Sequence, residues 1–192
     1  MIPSRCVFED LAGEYDQWFE ENRAVYEAQV RMLHGVVPRT GQGLEVGTGS
    51  GRFAVPLGIG YGIDPSRSLL EIAKSRGIRV VQGEGENLPY RAGSFDHVLM
   101  MTVICFLDDV AVVFSEVIRV LRPGGVLVVG FIEHGSEIQE QYRNEKTKGR
   151  FLRYARYWSA DEVTRFFEAA GFTNVAVSRR SRGFCVMDGR KP

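Results

Sequence analysis

Glu45, Asp64 and the alternating glycines Gly47, Gly49 and Gly51 are residues whose types and spacing could do chemistry. A short apolar segment, Gly43–Val46, carries Glu45 near its end and runs straight into Gly47-Thr48-Gly49-Ser50-Gly51. Nineteen positions after Glu45, the apolar run 59–63 ends in Asp64. Loop positions without side chains let ligand atoms reach the backbone, and a following helix N-terminus favours negative charge. A carboxylate at a neighbouring strand tip can accept hydrogen bonds from ribose hydroxyls. The pattern predicts a nucleoside pocket.

Two kinds of nucleoside ligand compete for it. The dinucleotide fingerprint G-x-G-x-x-G/A carries its acid about twenty residues downstream. Read here as Gly49-Ser50-Gly51-Arg52-Phe53-Ala54, it meets its acid too early. The E-x-G-x-G-x-G form resembles motif I of the class I S-adenosylmethionine-dependent methyltransferases. Three later segments resemble further motifs of that family: Gly83-Glu84-Gly85-Glu86-Asn87-Leu88-Pro89, then Ser94-Phe95-Asp96 ahead of His97-Val98-Leu99-Met100-Met101, then Leu121-Arg122-Pro123-Gly124-Gly125 ahead of Val126-Leu127-Val128-Val129. Their order and spacing are similar to the small-molecule branch, type 11, that includes ubiquinone-biosynthesis methyltransferases. The likeness is strong over 43–132 and looser over 159–186.

That resemblance implies an α/β, Rossmann-like fold: a doubly wound seven-stranded sheet, order 3-2-1-4-5-7-6, with strand 7 antiparallel. It implies S-adenosylmethionine as cofactor, S-adenosylhomocysteine as product, and methyl transfer to an N, O or C nucleophile of a small-molecule acceptor. Gly47, Thr48, Gly49 and Gly51 would pass beneath the amino-acid portion of the cofactor, with Glu45 near its ammonium. Asp64 would accept both ribose hydroxyls, and Pro65 and Ser66 would lie near the adenine. Glu84, standing where the family has Asp, would meet the adenine amino group beside the Gly85 amide. Tyr15, Trp18 and Phe19 resemble the family's N-terminal cap, and an aromatic face there would favour the sulfonium.

Methyl transfer from a sulfonium is an in-line displacement, so alignment and exclusion of water can carry it; alignment alone contributes up to about 7–11 kcal/mol in model systems. The residues expected to face the methyl group are Thr102, Val103, Ile104 and Cys105. Cys105 has no local partner to depress its pKa. His134, beside Glu133 after the fifth strand, is the candidate general base because histidine titrates near neutrality. His34 and His97 are expected to be structural. Trp18, Cys105, Tyr142, Tyr154 and Tyr157 are candidate acceptor contacts. Tyr142, Tyr154 and Tyr157 stand in a segment, 134–158, where aromatics including Phe151 and Trp158 alternate with Lys146, Lys148, Arg150, Arg153 and Arg156. That segment is expected to be an irregular lid whose cations would suit an anionic acceptor.

The elements that must position these groups follow from periodicity. Residues 8–37 carry apolar side chains at helical spacing and form an N-terminal cap. Strand and helix patterns then alternate, with Ser66 capping one helix and Asp108 or Asp109 another, the latter expected to stop at Gly124. Ser159-Ala160-Asp161-Glu162 is a capping box that opens a helix ending at Gly171. Residues 174–179 and 184–188 read as two strands around a turn containing Gly183. Alternation of this kind implies right-handed crossovers and a parallel sheet.

Composition bounds the remaining classes. At 192 residues and 44% hydrophobic the chain is expected to form one domain, 1–192, leaving no room for the second domain of a dehydrogenase. Cys6, Cys105 and Cys185 are scattered and odd in number, which suggests reduced thiols in a cytoplasmic protein and no zinc site. Residues 1–10 lack the regions of a signal peptide, and no apolar run reaches membrane-spanning length. Net charge is zero, yet from Arg143 onward twelve Lys or Arg face five Asp or Glu, against twelve and nineteen before it. No stripe of basic and aromatic residues marks a nucleic-acid module, so a nucleic-acid partner is not expected. The rival readings are a small NAD-dependent oxidoreductase and a non-catalytic S-adenosylmethionine-binding protein.

Overall fold

The computed structural model describes residues 4–144, 149–152 and 155–192, with side chains outside 4–5, 142–144 and 149–150. In chain order the elements are α1 (Ser4–Asp10), α2 (Ala12–Glu21), α3 (Arg23–His34), β1 (Gly43–Val46), α4 (Ala54–Leu57), β2 (Tyr61–Asp64), α5 (Arg67–Ser75), β3 (Arg79–Gln82) and β4 (Phe95–Met101). They continue with α6 (Val110–Val120), β5 (Leu121–Ile132), α7 (Glu137–Asn144), α8 (Gly149–Leu152), α9 (Ala160–Ala169), β6 (Thr173–Ser181) and β7 (Phe184–Arg190). The sheet order is β3-β2-β1-β4-β5-β7-β6, with β7 antiparallel to both its neighbours, as expected.

Both faces of the central strands are covered, which is why the later parts of β4 and β5 are apolar without alternation. Val98, Met100, Leu127, Val129 and Phe131 pack with Val113, Phe114 and Val117 of α6 and Val163 and Phe167 of α9. On the opposite face Leu99, Met101, Val128 and Ile132 meet Val30 and Leu33 of α3 and Ala54 and Leu57 of α4. The parallel half of the sheet points the C-terminal ends of β1, β2, β3, β4 and β5 to one side, and the strand order reverses between β1 and β4. In open α/β sheets a ligand crevice forms there.

Several boundaries differ from the sequence expectation, each for a local reason. The N-terminal cap is three helices. At the second break the Asn22 N–H closes α2 on Trp18 O at 2.9 Å, and the Asn22 side chain donates to the same carbonyl at 2.9 Å. α6 stops at Val120, before Gly124, because Pro123 disfavours helical backbone at the preceding residue. Lys191 Nζ donates to the freed Ile118 and Leu121 carbonyls, both at 2.7 Å. The helix after the glycine loop is a single turn that contains Pro56 and closes at Gly58. The supposedly irregular segment 134–158 holds α7 and α8. Among the described residues no helix is long and apolar enough to cross a membrane.

Candidate active site

The glycine loop is fastened to β2 by its backbone. Gly47 N and Thr48 N both donate to Ile63 O, at 2.8 and 3.1 Å. Gly47 and Gly51 stand at φ 71° and 80°, and a Cβ would drive into Val103 at the first and Ile78 at the second. Gly49 N donates to Asp64 Oδ2 and Ser66 N to Oδ1, both at 2.9 Å, so backbone amides orient this carboxylate. Asp64 is 8% exposed, and burial pushes its carboxyl up against those two hydrogen bonds.

Glu45 is not among the residues that line the cavity. It is 1% exposed and accepts from Thr48 Oγ1 at 2.9 Å. Burial pushes its carboxyl up to about 8, opposed by hydrogen bonds from Thr48 and the Ala54 amide. Glu45, Thr48 and Gly51 therefore brace the loop from behind, and none of them lines the cavity.

One cavity runs along the strand tips. At the β2 and β3 end it is walled by Asp64, Pro65, Ser66, Glu84, Gly85 and Glu86. Gly47, Gly49, Thr102 and Tyr15 line its middle, and Trp18, Gln29, Phe53, Met101, Ile132 and Leu152 its β5 end. Thr102 holds φ 54° at the tip of β4, a conformation a β-branched residue rarely adopts outside constrained sites.

Aromatic side chains from four separate parts of the chain roof this cavity. Phe8 of α1 meets Tyr15 of α2, Phe106 beyond β4 and Phe151 of α8 at centroid distances of 5.3, 5.1 and 5.4 Å. Tyr15 lies over Gly49; burial, with Asp64 and Glu45 nearby, raises its phenol pKa. α1 is latched through Glu9, whose carboxylate accepts from Ser66 Oγ at 2.7 Å, Ser68 Oγ at 2.9 Å and Ser68 N at 3.2 Å. α2 is latched through Asp16, which takes paired hydrogen bonds from Arg52 and from Arg76 at 2.7–2.8 Å. Burial opposes its ionisation, but those guanidinium contacts hold the Asp16 carboxyl well below its ordinary range.

Of the expected site residues, Tyr15, Trp18, Gly47, Gly49, Asp64, Pro65, Glu84, Gly85 and Thr102 come together around the cavity. His134 does not: its N–H donates to Trp158 O and its exposed ring lies outside the wall, because the bridge between Glu133 and Trp158 leads the chain away. Cys105 sits under the turn after β4 with Sγ donating to Thr102 O at 3.3 Å, and burial pushes its thiol up to about 12. Tyr157 packs into the α3-side core. The guanidinium of Arg156 lies 5.3 Å from the Trp158 ring centre, and Arg156 does not line the cavity. Lys146, Lys148, Arg153 and Tyr154 lie outside the described residues, as do the side chains of Tyr142 and Arg150.

The cavity also takes in residues not anticipated in any site role: Phe8, Gln29, Phe53, Phe106, Leu107, Ile132 and Leu152, together with Glu86, which had no expected ligand contact. Gln29 stands on an amphipathic helix where a polar residue ordinarily signals solvent, so only the docking of α3 could reveal it. Among the described residues Glu86 Oε1 is buried without a hydrogen-bond partner, in a segment whose motif had drawn attention to Glu84 instead. Among the described residues no group of three or more His, Cys, Asp or Glu is placed to hold a metal ion.

A doubly wound sheet with its cavity at the switch point, acids on two strand tips and a glycine turn between them defines a nucleoside-binding α/β protein. Comparison with known proteins narrows the class. A methyltransferase-domain family model matches residues 44–129. An uncharacterised Methanocaldococcus jannaschii protein is 38% identical over 90% of this chain and 84% of its own length. A crystal structure of a Thermotoga maritima S-adenosylmethionine-dependent methyltransferase superposes with a TM-score of 0.90 at 35% identity, covering 98% of this chain and all of that one. Demethylmenaquinone methyltransferase of Staphylococcus aureus is 26% identical over 94% of this chain and 89% of that protein. The chain spans 59% of the length of a Mycobacterium tuberculosis relative that is 36% identical. The chain belongs to the S-adenosylmethionine-dependent methyltransferases and is an enzyme that transfers a methyl group from that cofactor.

Proposed function

We propose that this enzyme methylates a small-molecule acceptor inside the roofed cavity, the whole chain acting as one methyltransferase domain. Residues 8–37 serve as its cap and 134–158 as its lid. The observation that carries this is the aromatic roof: Phe8, Tyr15, Phe106 and Phe151 close over a cavity whose acids lie at one end and apolar groups at the other. A macromolecule would need an open groove.

The residues present fit the cofactor. Asp64 keeps lone pairs free beyond its two amide contacts and receives the ribose hydroxyls. Glu84 and the Gly85 amide read the adenine, beside Pro65. Gly47 and Gly49 leave the backbone bare beneath the amino-acid portion, with Tyr15 above and Thr102 alongside; Glu45, Thr48 and Gly51 hold the loop in shape. When bound, S-adenosylmethionine supplies an electrophilic methyl group on a positively charged sulfur. The chain's own part is to orient the two partners, shut out water and present ring faces to the cation. No side chain is assigned as general base, since His134 lies outside the wall.

Calorimetry tests this with S-adenosylhomocysteine against NAD, followed by product release with amines, phenols and quinols. Binding of S-adenosylhomocysteine alone, with turnover on a small acceptor, is expected. Preference for NAD, or turnover only on nucleic acid or protein, would overturn it.

A further inference from the structure

The cavity has two chemically different ends, and among the described residues the second has Gln29 as its polar reader. Trp18, Phe53, Met101, Ile132 and Leu152 belong to the apolar cluster on the α3 side of the sheet, and Gln29 of α3 lines the same cavity. Gln29 projects from α3 one turn beyond Tyr26, whose hydroxyl donates to Arg52 O at 2.6 Å and whose ring packs on Phe53 at 5.5 Å. α3 is thereby fixed against the glycine loop, with Gln29 at the cavity wall. The Gln29 carboxamide has no hydrogen-bond partner among the described residues. No Lys, Arg or His among the described residues lines the cavity, and its carboxylates all lie on the tips of β2 and β3, at the other end.

Resting on the reading above, we propose that Gln29 is a specificity-determining residue of the acceptor subsite and that the acceptor is an uncharged, flat apolar molecule carrying one hydrogen-bonding group. A carboxamide both donates and accepts, so it pairs with a hydroxyl, carbonyl or neutral N–H. Among the described residues an anion or ammonium in this lobe would lose its water without gaining a counter-charge, at a cost far above that of a neutral group. Sites lined by hydrophobic and aromatic groups with a few placed polar ones are those that orient small ligands, and a buried hydrogen-bonding reader discriminates strongly against a partner that cannot answer it. The lobe adjoins Thr102 at the tip of β4, so a ring held by Gln29 and Trp18 presents its edge towards the middle of the cavity.

The test uses the full chain saturated with S-adenosylhomocysteine and three probes of one shape: 2-naphthol, 2-naphthoate and 2-(aminomethyl)naphthalene. Calorimetry on the wild type is expected to give binding of 2-naphthol about tenfold or more tighter than either charged probe. Gln29→Leu should weaken 2-naphthol about fivefold or more while leaving S-adenosylhomocysteine affinity within about twofold, a change within ordinary variation for an uninvolved group. Gln29→Glu should reverse the preference towards the aminomethyl probe, an outcome no merely structural role would produce. The inference is overturned if a charged probe binds the wild type as well as 2-naphthol, if none of the three binds, or if Gln29→Leu spares 2-naphthol. It is also overturned if Gln29→Leu chiefly weakens S-adenosylhomocysteine, which would make Gln29 a cofactor contact. Failure of the wild type to bind S-adenosylhomocysteine at all would instead sink the proposed function.

Discussion

The Gly49 amide donates to Asp64 Oδ2 at 2.9 Å, so the glycine loop and the tip of β2 are one unit. The loop is shaped by the carboxylate proposed to hold the ribose.

Asp64→Ala removes the loop's anchor and the proposed ribose acceptor together. Hydrogen bonds to a charged group contribute about 1.5–3 kcal/mol each, so S-adenosylhomocysteine affinity should fall roughly tenfold to 150-fold. Asp64→Asn keeps one acceptor oxygen and should lose less. Calorimetry decides, and unchanged affinity in the alanine variant removes Asp64 from the ribose site.

Glu45 sets a stability slope on the alkaline side. Its carboxyl is raised from 4.5 to about 8 in the folded chain, chiefly by burial. Between those values the folded state holds a proton that the unfolded state releases, so stability should fall as pH rises through that window. Glu45→Gln keeps an acceptor for the Thr48 hydroxyl and does not ionise. Its melting temperature should match the wild type near pH 4.5 and exceed it at pH 8 and above. Parallel melting curves from pH 5 to 9 would exclude a buried, protonated Glu45.

His97 tilts stability the other way. It is 2% exposed, neither ring nitrogen has a hydrogen-bond partner among the described residues, and its ring fills the space above Gly43. Burial lowers its pKa from 6.5, with Asp96 opposing. Below 6.5 the unfolded chain takes up a proton that the native chain refuses, so stability should drop as pH falls. In denaturant titrations His97→Leu should gain on the wild type at pH 5.5 relative to pH 8. An equal difference at both pH values would show that His97 does not titrate in this way.

Much of this was legible because local chemistry and tertiary outcome coincide in some places. β1, β2, β4 and β5 are apolar runs bounded by turn residues, and the pocket acids Asp64 and Glu84 follow directly from strand ends. Glu45 is different. It stands on a strand covered on both faces, and nothing in the sequence says whether its carboxylate enters the crevice or braces the loop behind it. His134 was read from its place after β5, but the direction of the chain there depends on pairing with Trp158, twenty-four residues away. Phe8, Gln29, Phe106 and Phe151 reach one cavity from four separate parts of the chain, and no window of sequence contains that convergence.

The last prediction concerns the roof. Glu9 ties α1 to Ser66 and Ser68 at the start of α5, and the adjacent Phe8 is the ring shared by Tyr15, Phe106 and Phe151. Hydrogen bonds lower the Glu9 carboxyl pKa, those from Ser66 and Ser68 leading. Glu9→Ala removes all three contacts to Ser66 and Ser68 and should let α1 lift without touching the pocket acids. S-adenosylhomocysteine should then leave at least about threefold to tenfold faster, the span expected for one ordinary hydrogen bond. Its association rate should change less, because most affinity differences between variants of one site appear in the rate of departure. Stopped-flow displacement measures both rates. Glu9→Gln, which still accepts from the serine hydroxyls, should fall between the two. Equal release from all three proteins would mean that α1 does not gate the cavity, and that the ring cluster stays closed without it.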